Sequence, residues 1–256
     1  MSNSKLINYI KISSNKNDRN HKIDTITIHC TAVQCRIETL GNLFSKTSTQ
    51  ASSNYGIDLN GNIGMFVEEY QRSWCSSNRN NDNRAITIEV SSDNFYPYKV
   101  NDKAYKSLIN LLVDICLRNN IEKLIWSFDK NERINHLNGC NMTVHRDFAN
   151  KECPGDYLYN LHPTIAKEVN ERLEDERMDI DKFLNEITEE QLLKLYKKID
   201  KALTKQPLPT SWDAKKELEQ AMEMGITDGN NAMSLTPRYQ TAIMVKRSVE
   251  NLYRGE

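Results

Sequence analysis

The sequence predicts an α/β domain followed by a small all-helical tail, and three observations carry that reading. Lys22–Cys30 and Asn83–Val90 alternate apolar and polar residues with the period of a strand. Asp102–Asn119 repeats its apolar residues with the period of a helix that covers a sheet face. From about Glu168 the composition shifts to Glu, Asp, Lys and Arg, with helical signals continuing to the end.

Composition narrows the function classes. A chain of 256 residues has room for one good-sized domain and a smaller one. A net charge of -1 and a pI near 6.5 show no global basic field, which argues against nucleic acid as the main partner. The six cysteines contain no CxxC pair and read as reduced thiols. Met1–Asn20 is polar without an apolar signal-type run, and no apolar stretch is long enough to span a bilayer. The expectation is a protein made soluble in the cytoplasm; work outside the membrane needs another agent to release it.

In chain order, the Asn-, Ser- and Lys-rich start is expected to be only partly ordered up to about Asn20. In KIDTITIHC, Ile26, Ile28 and Cys30 share one strand face, and Thr25, Thr27 and His29 share the other. Glu38–Thr49 suits a short helix. Ser53–Leu59, the tight-turn pair Asn60-Gly61 and Asn62–Val67 form an antiparallel hairpin. Gln71–Asn83 reads as a polar, irregular surface loop in which Trp74 either stacks on a sugar or anchors the loop to the core. NRAITIEV repeats the logic of the first strand, so if the two strands lie side by side, His29 and Glu89 converge. Asn101 or Asp102 caps the amphipathic helix. Ile121–Phe128 is a further strand or an approach to the next motif, and Leu158–Arg172 is a helix that closes the domain. Thr188 and Gln191 form a capping box for an amphipathic linker helix. Pro207-Leu208-Pro209 ends it, and two short helices follow, one from Trp212 capped by Ser211 and stopped at Gly225, one over Pro237–Tyr253.

The chemistry concentrates in Thr143–Gly155, TVHRDFANKECPG, where His145 and Cys153 stand eight positions apart and Cys153 runs into Pro154-Gly155. Imidazole and thiolate are both zinc ligands, and a catalytic zinc takes three protein ligands plus water. His29 is the best third donor; the alternative is that all three are ordinary strand and loop residues. With zinc held there, Glu89 is a natural general base and Lys151 can reach a developing oxyanion, although Lys151 equally suits a plain surface position. That set describes an amide or ester hydrolase.

The ordered segments IHCTA, NYGIDLNG, RSW, NRAITIEV and VHRDFANKECPG resemble the zinc-dependent N-acetylmuramoyl-L-alanine amidases of the amidase-2 type, whose fold is shared by T7-type lysozyme and the peptidoglycan recognition proteins. The resemblance covers about Lys22–Leu173. It implies a mixed central β-sheet flanked by helices, with zinc on His29, His145 and Cys153, Glu89 as base and Lys151 at the oxyanion. Substrate contacts are expected at Asn54 and Trp74. Two positions depart from the family: its T7-type tyrosine falls on Ser53, and Cys75 stands where a His often follows the loop Trp. The resemblance implies cleavage between the lactyl group of N-acetylmuramic acid and L-alanine in peptidoglycan.

The tail is similar, more weakly, to S-layer-homology-like wall-attachment segments, through WDAKKELEQAMEMGITDGNN and TPRYQTAIMV. The expected organisation is a zinc amidase domain over 1–173, a charged helical linker over 174–206 and a small helical wall-binding domain over 207–256. That arrangement resembles a phage endolysin of a low-GC Gram-positive host, with peptidoglycan and a secondary wall polymer as partners. Met178, at the start of the linker helix, is a candidate internal start, whose C-terminal fragment would join the full chain in a complex; a homo-oligomer is the other way to use the apolar stripe. The alternatives are a bacterial autolysin of the same activity and a recognition module that binds muropeptide without cutting it.

Overall fold

A computed structural model describes residues 3–204, 214–224, 226, 227, 230 and 245. Two compact units divide the chain, Met1–Ile180 and Asp181–Glu256. The first contains strands β1 (Tyr9–Ile10), β2 (Lys16–Asp18), β3 (Thr25–Cys30), helix α1 (Ile37–Phe44), β4 (Tyr55–Ile57), β5 (Ile63–Met65), β6 (Gln71–Ser73), α2 (Arg79–Arg84), β7 (Ala85–Val90), α3 (Asp102–Asn119), α4 (Lys130–Asn135) and β8 (Met142–Thr143). Helix α5 runs over Gly155–Glu186, α6 over Glu189–Leu203 and α7 over Ala214–Glu223. None of the helices among the described residues is long and apolar enough to cross a membrane.

Six strands form a mixed sheet in the order β1-β5-β4-β7-β3-β8, so the architecture is the α/β fold the sequence predicts. β4 and β5 make the antiparallel hairpin across Asn60-Gly61, with Tyr55 opposite Met65. The centre is parallel: β7 pairs with β4 on one side and β3 on the other. Ile26, Ile28, Ile86 and Ile88 are fully buried, in one cluster with Leu108, Leu111, Leu112 and Ile115 of α3 and Leu158, Ile165 and Val169 of α5. Burying each such side chain contributes about 1.5–3 kcal/mol.

The opposite sheet face is buried as well, by hydrogen bonds rather than oil. Thr27 Oγ1 lies 2.7 Å from Thr143 Oγ1, and Asn81 bonds to both hydroxyls. Thr87 Oγ1 lies 2.7 Å from Ser73 Oγ. The segment expected as an irregular loop, Gln71–Asn83, is therefore the cover of this face: β6 and α2 occupy its ends, and their side chains satisfy the threonines.

Residues 3–20 are ordered, contrary to expectation. β1 adds to the edge of the sheet beside β5, β2 pairs antiparallel with β6, and Ser13 and Asn15 are buried. Arg19 explains the order: its guanidinium donates to the carbonyls of Glu69, Gln71, Asp82, Asn83 and Ala85. A polar stretch is held here by charge-assisted bonds to backbone, which composition does not reveal.

Of the two readings of Ile121–Phe128, a strand or an approach to the next motif, the strand is absent, and the backbone of the segment is tied to Asn141 and Asn170 side chains. α5 passes beyond Arg172 to Glu186, so Met178 lies inside a continuous helix rather than at the start of one. The Thr188–Gln191 capping box is present at the head of α6. The Pro207–Pro209 stop, the Ser211 cap, the Gly225 stop and, Val245 apart, the Pro237–Tyr253 helix lie outside the described residues.

An ion pair on the buried Glu69 carboxylate ties α3 to the segment after β5. Glu69, 1% exposed, accepts from Tyr55 Oη at 2.6 Å and from both terminal nitrogens of Arg118, at 2.9 and 2.7 Å. Removing one partner of a buried pair leaves the other uncompensated, so Arg118→Ala is expected to cost about 3 kcal/mol in urea unfolding; a loss under about 1 kcal/mol would show that Tyr55 and Asn119 satisfy Glu69 alone.

Candidate metal centre and active site

The parallel register of β3 and β7 sets His29 directly opposite Glu89 at the carboxyl ends of the central strands. That end of a parallel sheet is where ligands usually bind. His29 Nδ1 is 4.0 Å from Glu89 Oε1. The segment after β8 brings the remaining donors. Cys153 Sγ lies 3.4 Å from His29 Nδ1, and the His29 and His145 rings meet edge-on with centroids 5.1 Å apart. One ligand atom from each of His29, His145 and Cys153 falls within 4.8 Å of the others.

The donor set fits a tetrahedral metal. With Zn–N near 2.0 Å and Zn–S near 2.3 Å, a tetrahedral N···S edge is about 3.5 Å, close to the distance between His29 and Cys153. Burial, and then the charge of His145, push the His29 pKa down to about 3, so this imidazole is neutral, as a ligand must be. His145 is lowered by burial and by the nearby Lys151 charge. The Cys153 thiol is held well above its usual range, first by the Cys30 thiol that hydrogen-bonds to it and then by burial. Glu89 is pushed up to about 8, chiefly by burial. A divalent cation among these groups favours both thiolate and carboxylate.

Local structure fixes each donor. In the Cys153-Pro154-Gly155 turn, Arg146 N–H donates to the Cys153 carbonyl at 3.1 Å and Gly155 N–H to Glu152 at 2.8 Å. Gly155 has φ +77°, and a Cβ there would stand 2.8 Å from the Pro97 carbonyl oxygen, so only glycine fits. The segment carrying His145 is anchored by Asp147, whose carboxylate is paired with buried Arg133 and accepts from Val144 N–H at 3.1 Å. Ser77 Oγ sits 3.0 Å from His145 Nε2, leaving Nδ1 for a metal. Ser77 itself has φ +63°, in a loop whose Cys75 and Ser76 amides donate to the buried Asp82 carboxylate.

The remaining candidates separate. Lys151 is exposed, near enough to His145 to act on its pKa. Trp74 is partly exposed, its indole N–H donating to Asn17 Oδ1 at 2.7 Å. Asn54, expected as a substrate contact, is corrected: it is fully buried, its amide donates to the carbonyls of Val67, Glu68 and Gln71, and its oxygen accepts from Thr87 N–H. An asparagine so committed holds strands together and has nothing to offer a substrate. Ser53 is buried and bonded to the Tyr55 carbonyl, and Tyr55 lies in the core.

Three neighbours are not legible from spacing. Ser77 reads as one of a run of Ser and Asn; Cys75 donates its thiol to Glu89 Oε1 at 3.8 Å; and Cys30, on the isoleucine face by alternation, reaches Cys153 at the strand end. Only the position of Cys75 directly after Trp74 hinted at a place near the site.

The N-acetylmuramoyl-L-alanine amidase family, Amidase_2, matches residues 19–156, more than half of the chain. Among curated proteins none matches the chain. Similar solved structures include a mutant endolysin from Bacillus subtilis, at 18% identity and TM-score 0.49, covering 64% of this chain and 99% of that one. The catalytic domain of XlyA is similar at 16% identity and TM-score 0.48, covering 63% and 97%. The N-acetylmuramoyl-L-alanine amidase LysC from Clostridium intestinale URNW is similar at 19% identity and TM-score 0.39, covering 57% and 85%.

If Ser77 orients His145, Ser77→Gly removes the hydroxyl at a backbone angle glycine prefers, and zinc affinity by competition with a chromophoric chelator is expected to fall about 10-fold at unchanged thermal stability. Equal affinities would reduce Ser77 to a passive loop residue.

Proposed function

The chain belongs to the Amidase_2 family of N-acetylmuramoyl-L-alanine amidases, and on that premise we propose a zinc-dependent hydrolase that cuts peptidoglycan between the lactyl group of N-acetylmuramic acid and L-alanine. Peptidoglycan amidase activity follows from membership; zinc dependence, residue roles and biological setting are our reading. The observation that supports it best is the convergence of two neutral imidazoles and a cysteine beside a half-buried carboxylate, at the carboxyl ends of parallel strands.

His29, His145 and Cys153 would hold the zinc, which supplies Lewis-acid polarisation of the scissile carbonyl and of water. Glu89 takes the proton from the attacking water and passes it to the departing amine of L-alanine. Cys75, donating to the same carboxylate, keeps one Glu89 oxygen oriented. Ser77 and Asp147 hold the His145 segment in place. Lys151 brings positive charge beside His145, where it can stabilise the oxyanion. Trp74, partly exposed on the cover of the sheet, offers a ring to substrate. Asn54 has no part in this scheme.

We read the whole chain as a phage endolysin of a low-GC Gram-positive host, with 1–173 catalytic, 174–206 a charged helical linker and 207–256 binding a secondary wall polymer. The support is the weak S-layer-homology likeness of the tail and the exposed apolar stripe of α6, Leu192, Leu195, Tyr196 and Ile199, which suits self-association or joining a fragment begun at Met178. A bacterial autolysin would use the same site. A non-cutting recognition module is the second reading, and Cys153, a ligand such modules typically lack, favours catalysis.

The test is digestion of purified Gram-positive walls, following new amino groups against reducing sugar. New L-alanine amino termini are expected, lost on chelation and restored by zinc. Glu89→Ala should lower the rate at least about 100-fold, the range for removing a catalytic acid-base group, and Cys153→Ser should lower it as well by removing a metal ligand. Wall binding without any bond cleaved, at every metal concentration, would replace this reading with the recognition module.

A further inference from the structure

The loop between β7 and α3 carries two large aromatic rings into solvent: Phe95 is 64% and Tyr96 66% exposed. Two such rings at adjacent positions present apolar area that a ligand can cover. The loop is not slack. Asp93 N–H donates to the Lys99 carbonyl and Tyr98 N–H to that of Phe95, both at 2.8 Å, closing the loop on itself.

It is also fastened to the Cys153 turn. Tyr98 Oη donates to Glu152 at 2.6 Å, Tyr96 Oη to Asp156 at 2.8 Å, and Tyr157 N–H to the Pro97 carbonyl at 3.2 Å. Gly155 allows this close seat, because a side chain there would strike Pro97 and Tyr98. Between the loop and the start of α5 lies a cleft of about 360 Å³, lined by Tyr96, Pro97, Asp156, Tyr157, Asn160 and Leu161. It begins three residues from Cys153.

The lining selects its occupant. Rings and an apolar side chain form walls, and a carboxylate and an amide sit among them, the mixture that holds a sugar by its apolar face and its hydroxyls. Stem-peptide carboxylates would need a cation, and the lining contains no lysine or arginine. Both terminal nitrogens of Arg146 are engaged, one with Asp156 at 2.9 Å and the other with the Glu152 carbonyl.

We infer that this aromatic loop and cleft form a subsite for a neutral N-acetylhexosamine ring of the glycan strand, next to the muramoyl residue whose amide is cut. The inference rests on the amidase reading for its place in the reaction, but the sugar site can be tested without it. Phe95 and Tyr96 are substrate-positioning residues in this scheme and do not touch the reacting atoms.

Two measurements on the full chain test it. Titration with chitotetraose, followed by chemical-shift changes or calorimetry, should show binding that Tyr96→Ala and Phe95→Ala each weaken about 5-fold and Tyr96→Phe retains, the scale expected for losing one stacked ring. On glycan strands bearing stem peptides the same alanine variants should raise KM by a similar factor. On a soluble N-acetylmuramoyl dipeptide with no neighbouring sugar their KM should rise by clearly less than on the strands. Binding unaltered by either alanine substitution overturns the inference, since any sugar is then held elsewhere, and so does an equal loss on both substrates, which would mark a structural loop. If the parent protein cuts neither substrate, the amidase reading fails, while the titration still decides the sugar site.

Discussion

The pairing of β3 with β7 is the constraint on which the rest of the structure depends. Two parallel strands of the pattern β-branched, polar, β-branched lie in register over six residues, Thr25 to Cys30 against Ala85 to Val90. Their isoleucines fill the core against α3 and α5, and the period of two then sends His29 and Glu89 to the other face together. A slip of one residue would exchange the faces and put a histidine and a carboxylate in oil. The hydrophobic core thus fixes the register, and the register fixes the distance between imidazole and carboxylate.

The cost of that arrangement is a polar face that must also leave water. Thr27, Thr87 and Thr143 are each fully buried, and each finds a partner in Asn81, Ser73 or Asn54 from the cover that β6 and α2 provide. Arg19 clamps this cover from the far side through five backbone carbonyls. A fully satisfied polar layer of this kind is rigid, because each lost bond leaves a buried group unpaired. The site residues therefore stand on a stiff platform.

Burial also sets the electrostatics. It lowers His29 and His145 and raises Glu89, while the Cys30 thiol and then burial raise Cys153, so the protein alone favours neutral groups throughout the cluster. Such a set is poised for a divalent cation, whose charge stabilises the thiolate and carboxylate that burial opposes. The second-layer partners are unequal: His145 Nε2 has Ser77, whereas His29 Nε2 is buried without a hydrogen-bond partner. His29 is positioned by its strand and His145 by its neighbours, and the Arg133–Asp147 pair holds the segment on which His145 and Cys153 both depend.

Alternation, the Asn60-Gly61 turn and the amphipathic spacing of α3 determined the strands, the hairpin and the helix that covers the sheet, because each depends on a local period or turn chemistry. The chemistry of TVHRDFANKECPG and the pairing of TITIH with AITIE also brought His29, Glu89, His145 and Cys153 under suspicion before any contact was visible. What the chain alone hid is of another kind. The order of residues 3–20 comes from Arg19 reaching carbonyls some fifty to sixty-six positions away, and no local signal carries that. Gln71–Asn83 reads as a solvated loop because its Ser and Asn are polar, yet it is the lid of a buried threonine layer. Asn54 lay within a matching motif and proved to be spent on backbone carbonyls, whereas Ser77, with no motif, touches His145. Residue type and period are written in the local sequence; which polar group meets which is decided only when distant segments close over one another, since hydrogen bonds are made between particular atoms and not between patterns.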